Sequence, residues 1–259
     1  MSEEFRGEER QVKRVSGAAV DGAPITYVIA FAAVVAALAA VPLSIVIGTG
    51  KSFPLSQAIY PLAGWVLGPV AGAVADGVGA LVGTWLFPQT TTVPVATIFG
   101  ATMAGLAAGV MRSSRERRGW WVPLGAVFVL AFLVYVGRAI LVNGVRWWAA
   151  LAGSTIDWTA LLLFLLPTRT LCGRWIAGEG AQRSVGLFLG TWIAAGLAHL
   201  CAAVIVDFVY NSPEVVWLTI APLAPLEHTL RALVGTVVGT GVLAGLRATG
   251  LVKPEHAVY

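Results

Sequence analysis

Long apolar runs separated by short polar stretches form the dominant pattern along this chain. A helix needs about 20 apolar residues to cross a bilayer, and lipid offers its backbone no other hydrogen-bonding partners. The pattern therefore predicts membrane-spanning α-helices rather than a soluble domain. The runs long enough for one crossing each lie near Ile25–Gly48, Thr92–Met111, Trp120–Val142, Ile156–Ala177, Val185–Phe208 and Ala221–Leu246.

The segment Phe53–Phe87 is long for one span and short for two. Gly68-Pro69 lies in its middle, and a proline there removes a backbone donor and clashes with the preceding turn. Charge favours two spans, because Lys and Arg concentrate in cytoplasmic loops. With two spans, 13 of the 17 basic residues share one side. They lie in the N-terminal tail, in Arg112–Arg118, in Arg169–Arg183 and in Arg247–Lys253.

This count predicts an all-α, polytopic membrane helix bundle with about eight transmembrane helices and both termini in the cytoplasm. It divides the chain into a charged tail (1–23), one transmembrane domain (24–246) and a second cytoplasmic tail (247–259). The expected location is the cell membrane, with multiple passes. The predicted outer loops are Thr49–Ser52, Pro88–Thr91, Asn143–Thr155 and Val209–Ile220.

The composition agrees with this picture and excludes other classes. Of the 259 residues, 58% are hydrophobic and 12% are charged, whereas soluble domains carry about a quarter charged residues. The net charge of +4 lies in short islands without a basic face interleaved with aromatic residues, so nucleic acid is not an expected partner. Cys172 and Cys201 are too few and too isolated for a disulfide framework or a zinc site. We expect no metal and no other cofactor.

Enzyme motifs are largely missing. Gly48–Ser52 has the end of a phosphate-binding loop, but Ile45 stands where the first glycine belongs and Pro54 follows almost at once. We interpret this segment as a flexible glycine-rich turn, and ATP hydrolysis, where needed, as the task of partner chains. The sequence contains no G-x-S-x-G or H-E-x-x-H motif. No residue is therefore predicted to be catalytic.

Ionisable residues inside membrane spans are costly, which makes them candidates for function. Five of them share the predicted depth near the outer face and form a candidate polar pocket: Arg138, Asp207, Glu227, His228 and Arg231. Glu227 and Arg231 are four apart, so a purely structural ion pair on one helix face is the alternative.

Trp85 and Tyr210 lie near this cluster and either stack on a flat substrate or sit at the membrane interface. His199 is interpreted as a satisfied interior histidine, and Asp76 is a further carboxylate within a span.

Small residues at intervals of four flatten one face of a helix and let helix backbones approach each other in lipid. The glycine pairs are expected to serve packing inside the bundle: Gly64-Gly68-Gly72, Gly79-Gly83, Gly105-Gly109, Gly235-Gly239 and Gly241-Gly245. The face formed by Ala32, Ala36 and Ala40 on the first helix is the candidate for docking a partner helix.

Several segments of the first half occur in a familiar order. They are the alanine-rich Phe31–Ala37, then Phe53-Pro54-Leu55, Pro61–Gly64, Leu67–Gly72, Asp76-Gly77, the Thr/Pro turn Thr90–Pro94 and a helix ending at Gly109–Arg112. Together they resemble the substrate-binding S components of energy-coupling factor (ECF) vitamin transporters, over about residues 25–112.

The resemblance implies a protein that binds a micronutrient from outside the cell and associates with a transmembrane T component and two cytoplasmic ATPases. It implies that Ala32, Ala36 and Ala40 meet the T component. It also implies that Thr49–Ser52 and Pro88–Thr91 cover the substrate near the outer face. The family usually has six helices, so eight would be a six-helix core with two additions.

The function predicted from these observations is that of a membrane-embedded substrate-binding subunit of a micronutrient or vitamin transporter, capturing a small water-soluble compound at the outer face. One alternative is an integral membrane enzyme acting on a lipid or isoprenoid, with His199 or the Glu227-His228 pair as acid and base. Another is a membrane scaffold recognised through its glycine faces. The basic members of the polar cluster would suit a carboxylate or phosphate, and Asp207 and Glu227 an amine.

Overall fold

A computed structural model of the chain describes residues 17–46, 51–111, 119–249 and 251–259. These residues form ten α-helices and two short antiparallel hairpins. The strands are β1 (Ala19–Val20), β2 (Ala23–Pro24), β3 (Pro42–Val46) and β4 (Lys51–Pro54). The helices are α1 (Ile25–Leu38), α2 (Ser56–Leu67), α3 (Pro69–Leu86), α4 (Pro94–Val110), α5 (Trp121–Leu141), α6 (Trp147–Gly153), α7 (Thr155–Leu165), α8 (Thr168–Ile176), α9 (Gly180–Tyr210) and α10 (Glu214–Ala248).

The all-α architecture is confirmed, and its long apolar helices indicate a multi-pass membrane protein. Within the described ranges, four helices are long and apolar enough to cross a bilayer: α3, α5, α9 and α10. Helices α6 and α7 pass the same criterion together, although they meet at an angle of 69°, and would make a fifth crossing. Helices α1 and α4 are apolar but have only 14 and 17 residues.

The prediction of a single helix across Ile25–Gly48 is wrong beyond Leu38. Strand β3 follows α1 after a turn and pairs with β4, with Ile45 opposite Ser52. An apolar run of this length is typical of a membrane-spanning helix, but it contains Pro42, which is unfavourable inside a helix and begins β3 here. The predicted turn at Gly48–Ser52 lies largely outside the described residues, but Lys51 and Ser52 already belong to β4.

The predicted division of Phe53–Phe87 into two helices is confirmed, although only α3 is by itself long and apolar enough to cross a bilayer, since α2 has 12 residues. Helix α2 ends at Leu67 and α3 begins at Pro69. Gly68 between them has a φ of +92°, which favours glycine because it has no Cβ. Pro69 occupies the first position of α3, where its missing N–H leaves no hydrogen bond unmade.

The second half differs from prediction in three places. The predicted helix Ile156–Ala177 is broken at Pro167 into α7 and α8, since a residue before proline is disfavoured in the helical region. The predicted outer loop Asn143–Thr155 contains α6. The predicted loop Val209–Ile220 is mostly helical, because α9 continues to Tyr210 and α10 begins at Glu214.

Glycines bring α2, α3 and α4 into backbone contact, as the spacing predicted. A Cβ added to Gly64 would lie 2.2 Å from the carbonyl oxygen of Gly105, and one added to Gly72 would lie 2.6 Å from the Cα of Gly64. The pair Gly241-Gly245 differs, because a Cβ at either position would meet nothing within 4 Å. That pair does not pack against the described part of the chain.

The alanine face predicted for partner docking is covered at two of its three positions by α3 of the same chain. A Cβ on Gly79 would lie 2.7 Å from the carbonyl oxygen of Ala32, and one on Gly83 would lie 3.6 Å from the Cα of Ala36. Both alanines are buried. Ala40 lies beyond the end of α1 and is exposed.

The last residues of the chain return to the bundle instead of extending away from it. The N–H of Val258 donates to the carbonyl oxygen of Trp65 at 2.7 Å, and Val258 is buried in the core. His256 packs against Gly68, and Glu255 packs against Gly22 in the β1–β2 turn. Part of each predicted tail therefore lies against the break between α2 and α3 or beside it, whereas residues 1–16 lie outside the described ranges.

Candidate functional site

A cavity of about 260 Å³ lies among α2, α4, α9 and α10. Phe53 of β4 and the segment Thr90–Val93 after α3 contribute to one side of its wall. Thr90 and Thr91 belong to the predicted loop Pro88–Thr91, and Phe53 directly follows the predicted loop Thr49–Ser52. Much of the wall is apolar, with a few polar groups, which is the usual lining of a small-molecule site.

Small side chains on α4 and α9 leave the space for this cavity. The two helices touch at Gly100, where an added Cβ would lie 2.9 Å from the carbonyl oxygen of Ala198. The wall beside this contact is built mainly from alanines, including Ala101, Ala198 and Ala202. Tyr60 of α2 and Tyr135 of α5 add two aromatic rings.

Arg231 is the basic side chain of α10 that lines the cavity, and it is only 3% exposed. Its guanidinium carbon lies 4.5 Å from the centre of the Phe53 ring. Nη1 lies 3.4 Å from Nε2 of His228, and Nη2 lies 3.7 Å from Oε2 of Glu227. Nε and Nη2 are buried and have no hydrogen-bond partner among the described residues.

His199 of α9 also lines the cavity, and Asp157 of α7 orients its ring. Nδ1 of His199 lies 2.8 Å from Oδ1 of Asp157, whose side chain is fully buried. When the carboxylate accepts the proton on Nδ1, Nε2 is the ring nitrogen left for other contacts. Sequence reasoning treated His199 as a satisfied interior histidine and missed its partner. The available signal was a lone carboxylate in the apolar run Ile156–Ala177.

Asp207 lines the cavity too, but its carboxylate already has hydrogen bonds and an ion pair with neighbouring residues. It accepts hydrogen bonds from Nδ2 of Asn143 at 3.0 and 3.2 Å and from the N–H of Ser212 at 3.2 Å. Nε of Arg138 lies 3.3 Å from Oδ2. Arg138 also donates to the side-chain oxygen of Asn211 and lies over the ring of Phe208. This network joins the ends of α5 and α9.

The five residues of the predicted polar pocket thus form two separate groups. Asp207 and Arg231 line the cavity, whereas Arg138 supports Asp207 and the pair Glu227 and His228 supports Arg231. The predicted i,i+4 pairing of Glu227 with Arg231 is present. Glu227 also accepts a hydrogen bond from Oγ of Ser44 at 3.3 Å, and this bond ties β3 to α10.

Trp85 and Tyr210, for which stacking on a substrate and a place at the membrane interface were the two alternatives, do not line the cavity. Trp85 is 80% exposed at the end of α3, and Tyr210 is 56% exposed at the end of α9. Such positions are typical of aromatic side chains at a membrane–water interface. The rings that line the cavity belong to Phe53, Tyr60 and Tyr135.

An exposed ion pair lies outside the cavity, at the end of the bundle where α6 and α10 begin. Nε of Arg146, before α6, donates to both carboxylate oxygens of Glu214 at 2.9 Å. These hydrogen bonds raise the pKa of Arg146 further above its usual range. The pair joins the start of α6 to the start of α10.

Metal-binding geometry is absent from the part of the chain that the structure describes, in which no three His, Cys, Asp or Glu side chains are grouped to hold an ion. Cys172 and Cys201 are both buried and unpaired with each other.

Comparison with known proteins adds no relative. No protein-family model, no curated protein and no solved structure matches the chain. The resemblance to S components therefore stays a prediction from the segments that carry it.

Proposed function

We propose that this chain captures a small water-soluble compound at the outer face of the cell membrane, as the S-component-like, substrate-binding subunit of a micronutrient or vitamin transporter. The observation that supports this most is the 260 Å³ cavity, whose wall includes Phe53 of β4 and Thr90–Thr92. Its few polar groups provide orientation, and its alanine-rich wall provides space.

The proposal includes eight membrane crossings with both termini in the cytoplasm. Arg183 and Arg247 both donate to the carbonyl oxygen of Gly178, so these basic residues share one end of the bundle. Asp207, at the cavity, is 24 residues beyond Arg183 on α9, which is about 36 Å of helix. That distance matches the thickness of a bilayer and supports a basic cytoplasmic end and a cavity near the outside.

A transmembrane T component and cytoplasmic ATPases are the proposed partners, with ATP hydrolysis on those chains. Because α3 covers Ala32 and Ala36, a large side chain at Ala36 would disturb packing within this chain as well as any docking. Co-purification of the wild-type chain with its partners is therefore a cleaner test of association than that substitution.

Filling the cavity tests the capture of a small compound. Ala202 lines the cavity, so Ala202→Phe should occupy part of it, whereas Ala33→Phe on the exposed face of α1 is a matched control. Untargeted mass spectrometry would be applied to two samples from cells producing each variant. The growth medium shows which compounds the cells remove, and the purified protein shows which compounds it carries. We expect Ala202→Phe to lower capture of at least one water-soluble compound by about tenfold or more, and Ala33→Phe to leave it unchanged. Equal capture by both variants, or no captured compound in the wild type, would contradict the proposal.

The Asp157–His199 pair favours a second candidate, a membrane enzyme acting on a lipid or isoprenoid by acid–base chemistry. A carboxylate that holds the ring of a histidine facing a cavity is a common arrangement for a general base. The Glu227-His228 pair is less suited, because neither residue lines the cavity and Nδ1 of His228 contacts the carbonyl oxygen of Ala224.

The same mass spectrometry separates the two candidates. An enzyme would release a product of changed mass, and His199→Gln would abolish it. A capture protein would yield the unchanged compound from the wild type, and His199→Gln would affect only how tightly that compound is held.

A further inference from the structure

The cavity contains charged groups of both signs, and their existing contacts decide which sign is available to a ligand. Asp207 accepts hydrogen bonds from Asn143 and Ser212 and forms an ion pair with Arg138, so its carboxylate already has donors and a compensating charge. Arg231 differs because Nε and Nη2 have no hydrogen-bond partner among the described residues. A buried charged donor without an acceptor is costly.

The contacts around Arg231 fix its position without satisfying it. Phe53 packs on the guanidinium, and the ring of His228 lies beside Nη1. Glu227 compensates part of the charge, but at 3.7 Å from Nη2 it is beyond hydrogen-bond distance and is shared with Ser44. The guanidinium is therefore held at the cavity wall, and its Nε and Nη2 groups remain without an acceptor among the described residues.

We propose that the compound bound in this cavity is a small organic anion, whose carboxylate or phosphate group binds Arg231 and whose apolar body lies against the alanines of α4 and α9. This inference rests on the proposed function and adds the chemical class of the substrate. A guanidinium binds carboxylate and phosphate oxygens through paired, charge-assisted N–H groups. A neutral amide offers one uncharged acceptor oxygen, and an ammonium group offers none. Tyr60 and Tyr135 on the same wall suit a flat or apolar body.

A matched pair of probes tests the required charge. Benzoate and benzamide have nearly the same shape, and only benzoate is an anion. Phenyl phosphate provides the phosphate form. Binding of each would be measured by equilibrium dialysis to the full chain in nanodiscs of zwitterionic phosphatidylcholine. We expect at least one of the two anions to bind about tenfold more tightly than benzamide.

Two variants should shift this preference in opposite directions. Arg231→Gln removes the guanidinium and should abolish the preference for the anions. Glu227→Gln leaves Arg231 in place without its competing carboxylate and should tighten anion binding about threefold or more. Arg146→Gln, in the exposed pair with Glu214 outside the cavity, is the control and should leave binding unchanged. A preference that survives Arg231→Gln would overturn the proposal. So would anions that bind no better than benzamide to the wild type, even if Arg231→Gln fails to fold.

The source of the anion is settled by repeating the titration in nanodiscs that contain phosphatidylglycerol. If this lipid displaces the benzoate, the anion site belongs to a lipid headgroup, and the capture of a water-soluble compound fails while the anion site stands. If the cavity-filling experiment instead identifies a neutral or cationic captured compound, the proposed function stands and the anion site fails.

Discussion

Two regions of this molecule bury an aspartate in contrasting ways. The first is the glycine half, formed by helices α1 to α4, in which Asp76 is fully buried. The second is the charged end, formed by the C-terminal ends of α5 and α9 with the loops that follow them, in which Asp207 is equally buried. Both carboxylate oxygens of Asp76 lack a hydrogen-bond partner among the described residues, whereas Asp207 has several.

The difference shows that the two regions are held together by different forces. In the glycine half, backbones touch where side chains are missing, and an added Cβ on Gly105 would lie 2.5 Å from Oδ2 of Asp76. Close contact of this kind stabilises helix pairs in lipid, where burial of apolar surface provides little drive. At the charged end, the ion pair of Asp207 with Arg138 and its hydrogen bonds from Asn143 join the helix ends. A Cβ on Gly137 or Gly144 there would meet nothing within 4 Å among the described residues. Variants that act on only one of these forces test the contrast.

The largest effect is expected in the glycine half, from Gly64→Ala. Its new Cβ would lie 2.2 Å from the carbonyl oxygen of Gly105 and 2.8 Å from the backbone nitrogen of Gly109. Backbone atoms cannot rotate away, so α2 and α4 must separate, and neighbouring contacts are lost. We expect the free energy of unfolding to fall by about 3 kcal/mol or more, measured by titration with SDS in mixed micelles.

Gly137→Ala is the matched control for that substitution. Gly137 lies in α5, and a Cβ there would meet nothing within 4 Å. Because alanine favours helix more than glycine does, this variant should be unchanged or slightly more stable. If both variants lost stability equally, backbone contact at Gly64 would not be what holds the glycine half together.

A smaller effect is expected at the charged end, from Asp207→Asn. The amide keeps the shape of the carboxylate but cannot balance the charge of Arg138 or accept through both of its polar atoms. We expect a loss of about 2 to 3 kcal/mol in the same titration. Adding Arg138→Gln to Asp207→Asn should recover part of that loss, because Arg138→Gln removes the charge that Asp207→Asn leaves uncompensated. A double variant as unstable as the sum of the two single ones would argue against the pairing.

The contrast between the regions also explains which features were predictable from sequence. The break at Gly68-Pro69 and the packing role of most of the glycine repeats follow from local residue types and their spacing, so both were predicted correctly. Which glycines meet across α2 and α4 was not predicted. The hairpin β3–β4 was missed, because an apolar run as long as Ile25–Gly48 is typical of a membrane-spanning helix, and the one signal of its interruption, Pro42, lies inside that run. The pairing of Asp157 with His199 joins residues 42 positions apart on two helices, and the position of a lone carboxylate does not identify such a partner.

The smallest effect is expected from Asp76→Asn, which applies the same chemical change as Asp207→Asn to the glycine half. Neither oxygen of Asp76 accepts a hydrogen bond from a described residue, so the amide would lose none of those contacts and would bury no charge. We expect the free energy of unfolding to stay within about 1 kcal/mol of the wild type or to rise. The comparison with Asp207→Asn in the same micelles is decisive, because the two aspartates are equally buried and differ in their partners. A loss at Asp76 as large as the loss at Asp207 would mean that its carboxyl group has a stabilising partner, and that polar contacts as well as backbone packing stabilise the glycine half.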